Sequence, residues 1–452
     1  MTSSYNQTKR YPEAHCTSDI PMQISSQQLT RPHVSTTVDH RSAIANNSQI
    51  LSGGSAFIFL PLTPNAFIKS GSSFLNFNLQ VVVNTLANAG GAAVTGYFSF
   101  AGPTKSAHML ISRMQLNAGA SLENLQYYNI FSEMMLLNST NQNFLSSDAA
   151  ALMNTGQTYP VVVASGAAAV TQTFNLNISI PVLLGSLSSN DSHWPLCLMT
   201  SSPQIMIDFA SALNQVFQCD VNIAALSIAS YSISNLQLCY TNIQVDPAYV
   251  SELTMLMKEK NFVYNFSAQN LLGNAVGDNG TIRTEFGLLC SSLCGVHWTN
   301  YSTPTGYTGS QGFRSDAQTI GQLYCDNRST IVSQPQDMTA RAPYVYAINK
   351  SSWSTIWDPT VSYGIIPTDS TNPVSLVVAN QSNSLYATKY FTCSAPLQAF
   401  NEIGLCFSGS EVNRAQIEIQ KSVAGGSSAL YLLFVRDCVY SINYDGQIDV
   451  HF

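Results

Sequence analysis

Charge is what this chain has least of. Only 10% of its 452 residues are Asp, Glu, Lys or Arg, against about a quarter in ordinary soluble proteins, while Ser, Thr, Asn and Gln abound. A polar surface with so few repelling charges packs against copies of itself at little electrostatic cost, which favours an assembled protein over a free enzyme. Basic residues are short as well: 18 Lys and Arg against 25 Asp and Glu leave a formal net charge of −7 and no basic cluster. General nucleic-acid binding, which rests on clustered phosphate contacts, is thereby excluded. No apolar run approaches the roughly 20 residues that span a bilayer, and Met1 to Cys16 lack the apolar core of a signal peptide. Synthesis in the cytosol is therefore expected, with the ten cysteines reduced and buried rather than bridged. The Asn-X-Ser/Thr triplets at Asn138, Asn177, Asn265, Asn300 and Asn380 then reflect an Asn- and Ser-rich chain and not glycosylation.

Catalytic signatures are missing too. Neither a Gly-X-Ser-X-Gly elbow nor a His-Glu-X-X-His pair occurs, and seven histidines leave little for general-base chemistry. Acidic residues are sparse and scattered, where a glycosidase needs two paired across a cleft. Cys290, Cys294 and His297 form a Cys-X3-Cys-X2-His run, but zinc sites want two ligand pairs at established spacings and Cys290 lies in an apolar strand. Cys239, Cys406 and Cys438 sit in apolar stretches as core residues. Gly273, Gly277 and Gly280 lack the Lys-Ser/Thr ending of a phosphate loop and read as a loop between strands. Glu133, beside Met134, Met135 and Leu136, is placed at a helix surface rather than as a catalytic acid. Trp353 and Trp357 are the residues a sugar-binding loop would use, though packing suits them better. No catalytic, cofactor or metal site is expected.

What is present is hydrophobic patterning, with 45% apolar residues, ample for real cores. Residues 1–50 show no sustained periodicity and carry Pro12, Pro21 and Pro32, so they read as an extended N-terminal arm. Lys9, Arg10, Arg31, His33, His40 and Arg41 make it basic in places, but Glu13, Asp19 and Asp39 nearly cancel that charge, which favours a protein–protein clamp over genome or membrane contact. From residue 56 onward short alternating runs recur, at 56–60, 75–81, 174–180, 205–209 and 236–240. Period two puts apolar side chains on one face and Asn, Gln and Ser on the other, as in antiparallel sheets wet on one side. A second series follows at 261–266, 282–290, 344–348, 374–378, 390–393 and 417–419. Leu430 to Arg436 and the Asp445-Gly446 turn then lead to a terminal strand at 444–452, because Asp-Gly supplies the positive φ of a tight hairpin. Two stretches have helical spacing. Residues 122–137 follow a strand ending at Leu116 and an Asn117-Ala118-Gly119-Ala120 turn. Residues 246–259 open with Asp246 as N-cap and Pro247 at the first helical position, with Val250, Leu253, Leu256 and Met257 on one face.

Three segments carry a family likeness: Ile111 to Asn117 with Leu122 to Ile130; Val245-Asp246-Pro247 through Tyr264; and Leu430 to Phe452. In this order and spacing the chain resembles the double jelly-roll major capsid proteins of tailless icosahedral double-stranded DNA viruses, in particular the virophage and polinton-like virus branch. The resemblance implies an all-β protein of two consecutive eight-stranded antiparallel jelly rolls with short helices in the connections. Its parts are an arm at 1–50, a first roll at 51–245, a linking helix at 246–260 and a second roll at 261–452. It further implies a homotrimer whose six rolls make a pseudo-hexagonal tile of a virion shell, made in the host cytoplasm, with no enzymatic activity and no small-molecule substrate. The implied partners are itself, minor capsid and penton proteins, and an internal membrane or genome reached by the arm. The alternative from the residues alone is a β-sandwich adhesin or glycan-binding surface protein, or more distantly a two-domain carbohydrate-active enzyme.

Overall fold

In a computed structural model, the residues described are 36–85, 93–139, 154, 156–163, 169–188, 193–219, 226–260, 262–277, 282–287, 290–302, 306–307, 312–314, 318–325, 330–331, 336–337, 392–396, 410–412, 415–421 and 428–451. Alternation dictates the first layer. Along Phe74–Asn84 the side chains of Leu75, Phe77, Leu79, Val81 and Val83 are buried while Asn78 and Gln80 face solvent. Full burial of such an aliphatic side chain contributes about 1.5–3 kcal/mol, and a one-residue slip would turn the whole set outward. That fixes the register against Thr171–Pro181 on one side and Ser227–Gln244 on the other.

Eight main strands of the first unit pair as one long hairpin rolled on itself. Taken in chain order they are Thr37–Ile44, Ser55–Phe59, Phe74–Asn84, Ile111–Ala118, Ala120–Gln126, Thr171–Pro181, Gln204–Phe209 and Ser227–Gln244. The first pairs with the eighth, the second with the seventh, the third with the sixth and the fourth with the fifth, all antiparallel. Two sheets result, in orders 1-8-3-6 and 2-7-4-5, which is the jelly roll. Short strands supplement them: Gln49–Leu51 continues the line of Thr37–Ile44 along Ser227–Gln244.

The second unit repeats the scheme. Tyr264–Gly277 pairs with Ser428–Ile442, Ile282–Phe286 with Ala415–Lys421, Cys290–Ser302 with Cys393–Pro396, and Gln318–Cys325 with Thr330–Ile331. The final strand Ile448–His451 adds to Ser428–Ile442 through a turn in which Gly446 has φ of +71°, so the Asp-Gly reading holds. Between the units runs the helix Pro247–Glu259, with the Asp246 carboxylate accepting from the Ala248 N–H at 2.9 Å.

Three sequence expectations change. Residues 37–44, read as part of the arm, are the first strand of the roll, with Arg41 held to Asp39 at 2.6 Å. Residues 122–126, read as the start of a helix, belong to the strand Ala120–Gln126. The cause is a bulge: Leu116 faces Glu123 and Asn117 faces Ser121, so Leu122 is an extra residue. The bulge sets Leu122 and Leu125 three apart, which imitates helical spacing. After Tyr127, at φ of +56°, the helix proper runs from Tyr128 to Ser139, and it is buried on all sides through Leu137. Glu133 therefore lies in the core and not at a helix surface. The runs at 344–348 and 374–378, Trp353, Trp357, Gly280, Asn380, Cys406 and residues 1–35 of the arm lie outside the described residues.

Glu133 is held by four donors. The N–H and Oγ of Thr104 donate at 2.7 and 2.6 Å, and those of Ser106 at 3.1 and 2.7 Å. The cradle needs Gly102, whose φ is +88° and whose added Cβ would lie 2.9 Å from the Glu133 carboxyl carbon. His108 Nε2 faces the carbonyl of Pro181 at 3.2 Å, so that nitrogen carries the proton. Burial lowers the His108 pKa to about 4, with the Pro181 contact opposing. For a base depressed on folding, stability is complete above about pH 6.5 and is lost as pH falls toward about 4, by as much as about 3 kcal/mol. Buried carboxyls raised on folding, such as Glu133, act with the opposite sign. The contribution is therefore read as the difference in pH slope of thermal stability between wild type and H108Q, and the variant is expected to lose less between pH 6.5 and 4.

Candidate functional site at the junction of the two rolls

Strand Ala120–Gln126, at the edge of a first-roll sheet, carries a second buried carboxylate. Glu123 Oε1 accepts from the N–H of Gly185 at 3.0 Å and of Leu271 at 2.9 Å, and Oε2 accepts from the N–H of Ser186 at 2.9 Å. Gly185 and Ser186 belong to the first roll and Leu271 to the second, so one side chain satisfies backbone donors of both. Burial raises its pKa, and the hydrogen bonds from Ser186, Leu271 and Gly185 pull it back in part.

Polar contacts continue from it. Asn270 Nδ2 donates to the Leu122 carbonyl at 2.9 Å, and Asn270 Oδ1 accepts from Nε and Nη2 of Arg436 at 3.1 and 3.0 Å. Ser186 and Tyr440 share a short hydroxyl–hydroxyl bond across the junction. Trp194 Nε1 donates to the Ser186 carbonyl at 2.6 Å. Its ring packs 5.2 Å from Phe266, which stacks on Tyr440 at 5.2 Å. A second aromatic seam sets Tyr127 and Phe131 of the first roll against Tyr431 of the second, at 5.3 and 6.4 Å. Such pairs contribute about 0.5–1.5 kcal/mol each beyond the area they bury.

Three glycines let the two backbones approach. A Cβ on Gly185 would stand 2.4 Å from the Gln269 carbonyl oxygen, and one on Gly273 would stand 2.3 Å from the Phe131 ring and 2.7 Å from the Gln126 carbonyl oxygen. One on Gly446 would meet Thr200 at 2.7 Å, where the Gly446 carbonyl accepts from the Thr200 N–H at 3.2 Å. Gly273 is thus neither a loop residue nor part of a phosphate cradle; it is a strand position where the other roll fills the place of a side chain.

Among the described residues, chemistry does not assemble elsewhere. Cys290, Cys294 and His297 all lie in the strand Cys290–Ser302, where a rise of about 3.3 Å per residue spreads them over roughly 23 Å, too far for one metal ion. Among the described residues no group of three His, Cys, Asp or Glu is placed to hold a metal. Burial pushes the Cys290 thiol up to about 11 and Cys197 and Cys219 up to about 12, which keeps them protonated and inert. Ser106, His108 and Glu133 have the composition of a nucleophilic triad. Ser106 nevertheless spends its proton on Glu133, His108 Nε2 is turned to Pro181, and all three are sealed from solvent. Asn300, in one of the glycosylation triplets, is fully buried.

No protein-family model and no curated protein sequence matches this chain. Solved structures match its fold. PBCV-1 VP54, fitted into a reconstruction of the virophage Sputnik, superposes with a TM-score of 0.57 at 11% identity over 93% of this chain and 98% of that one. The Faustovirus major capsid protein gives 0.52 at 10% identity over 91% of each, and the Sputnik virophage structure gives 0.52 at 12% over 92% and 88%. The chain has the double jelly-roll fold of these viral capsid proteins.

Two substitutions test the junction. E123Q puts an amide N–H₂ where backbone N–H groups need an acceptor, and G273V drives a branched side chain into Phe131. Each is expected to lower stability by about 2–4 kcal/mol, read as a fall in Tm by scanning calorimetry, with the second roll becoming the more protease-sensitive half. An unchanged Tm for both would show that the junction contributes little.

Proposed function

We propose that this protein is the major capsid protein of an icosahedral virus, acting by symmetric self-association and without enzymatic activity. One observation carries the reading: the same four-pair hairpin scheme occurs twice in one chain, fused through a buried junction, over nearly the whole length of the capsid structures it resembles. Two rolls fixed side by side make one third of a six-lobed ring. Three copies about a threefold axis then give a tile of near-hexagonal outline, the shape that fills the flat parts of an icosahedral shell. Neutral outer faces suit such packing, since they carry little charge to desolvate. Pentagonal vertices need a different protein, and minor capsid proteins, together with a membrane or genome reached by residues 1–35, complete the expected partners. The location in keeping with this reading is the virion, following synthesis in the host cytoplasm.

An adhesin gains nothing from this arrangement, because two binding domains on a tether need no shared buried carboxylate. Size-exclusion chromatography with light scattering on the full chain is expected to give three times its 49.0 kDa mass, with negative-stain images of hexagonal particles. A stable monomer at high concentration would overturn the proposal.

A further inference from the structure

Glu133, Ser106 and His108 form a chain of three side chains in the core of the first roll, and with Glu133 ionised its hydrogen atoms do not balance. All three residues are fully buried. Ser106 Oγ lies 2.7 Å from Glu133 Oε1 and 3.2 Å from His108 Nδ1. A serine hydroxyl has a single proton to give. When Ser106 gives it to the carboxylate, and His108 keeps its own on Nε2 toward the Pro181 carbonyl at 3.2 Å, two lone pairs face each other between Oγ and Nδ1. The other neutral tautomer moves the fault without removing it: Nδ1–H then serves Ser106, and a bare Nε2 faces the Pro181 oxygen. Leaving a buried polar group opposed in this way costs more than a satisfied bond contributes.

One added proton removes the fault. Placed on Glu133 Oε1, it goes to Ser106 Oγ; the Ser106 proton turns to His108 Nδ1, and Nε2–H stays on Pro181. Glu133 still accepts from the Thr104 N–H and Oγ at 2.7 and 2.6 Å through Oε2, and from the Ser106 N–H at 3.1 Å through Oε1. Ser106 Oγ then accepts from Glu133 and from the His108 N–H at 3.3 Å, so each donor along the chain meets an acceptor. Carrying the proton on to His108 would instead make a buried ion pair, which burial opposes at both ends, raising the carboxyl and lowering the ring. The titratable groups packed around the chain are tyrosines. Tyr128 lies 6.1 Å from the His108 ring, Tyr301 of the second roll is close enough to feel the Glu133 charge, and burial pushes both hydroxyls up. Lys105, half-buried, is the cation of the loop that carries Thr104 and Ser106.

We infer that Glu133, Ser106 and His108 together bind one exchangeable proton, held on Glu133 at pH values where an ordinary carboxyl has lost its own, and that losing it loosens the helix Tyr128–Ser139. Nothing in this depends on the capsid reading. The same helix sets Phe131 against Gly273 and Tyr431 of the second roll, so the proton acts from the core on the junction. For a carboxyl raised on folding, the stability it contributes is present in full below the ordinary value of 4.5 and is lost as pH rises through the folded one.

Infrared spectroscopy of the full chain at about pH 6.5 reads the proton as the carbonyl stretch of a protonated carboxyl. The wild type is expected to show such a band that E133Q lacks, and the difference between the two sets Glu133 apart from the other buried acid, Glu123. In S106A, checked like E133Q for a wild-type circular dichroism spectrum, the band is expected to move to higher frequency, because the carboxyl O–H has lost its acceptor. Between about pH 6.5 and 9 the Tm of the wild type is expected to fall by at least about 1 °C more than that of E133Q. If E133Q does not fold, the band that moves in S106A identifies Glu133 in its place. No band lost in E133Q shows an ionised Glu133 and overturns the inference, and a band unmoved in S106A overturns the relay through Ser106. Equal pH slopes in wild type and E133Q overturn the effect on the helix.

Discussion

The molecule depends on a carboxylate that water never reaches. Glu123 accepts from backbone donors on both rolls, so neither roll's buried polar groups at the junction are satisfied without the other. Removing one partner of such a group costs far more than the net contribution of the bond. That asymmetry makes the two rolls a single rigid body where a chain of two sandwiches on a linker would leave them free to swivel. Under the function proposed above, rigidity is what a tile would require, because any play between lobes within a subunit is multiplied around a ring. Aromatic packing and the close approach at Gly185, Gly273 and Gly446 add contact area to the same seam.

Much of the fold could be read directly from the residues, and the reason is physical. Strands wet on one face must alternate, so runs such as 75–81 and 174–180 announced themselves. The Asp246-Pro247 helix start and the Asp445-Gly446 turn use residues with narrow backbone preferences, and both stand where expected. Thr37–Ile44 went unseen as a strand because, at an outer margin, only Ala43 of its eight residues is buried, which erases the periodic signal. Leu122 misled because a bulge breaks period two, and no local feature of the sequence marks where a bulge falls.

The junction was less legible than the sheets. Glu133 read as a surface acid and Glu123 drew no reading of its own, since the donors that hold them are backbone N–H groups or hydroxyls from distant segments, invisible to any local window. Glu133 did offer one signal, a lone acid inside the apolar run from Ile130 to Leu137, and a charge in such company needs a partner. Gly273 was assigned to a loop because glycine in a strand pattern more often marks a turn or bulge than the close passage of a second backbone. The resemblance to capsid proteins supplied what periodicity lacked, namely that the two series of strands form two copies of one topology.

The rolled-hairpin pairing also dictates an order of events as the chain leaves the ribosome. The first roll closes only when Ser227–Gln244 emerges to meet Thr37–Ile44, and the second cannot close until Ser428–Ile442 meets Tyr264–Gly277. Between those moments Glu123 waits with the Leu271 donor still unplaced, and the seam around Tyr127 and Phe131 lies open to solvent. The nascent half-protein is therefore sticky for about as long as translation of the second half takes, at roughly 5–20 residues per second. Abundant production of such a chain calls for either a chaperone at that seam or a second roll that folds without delay.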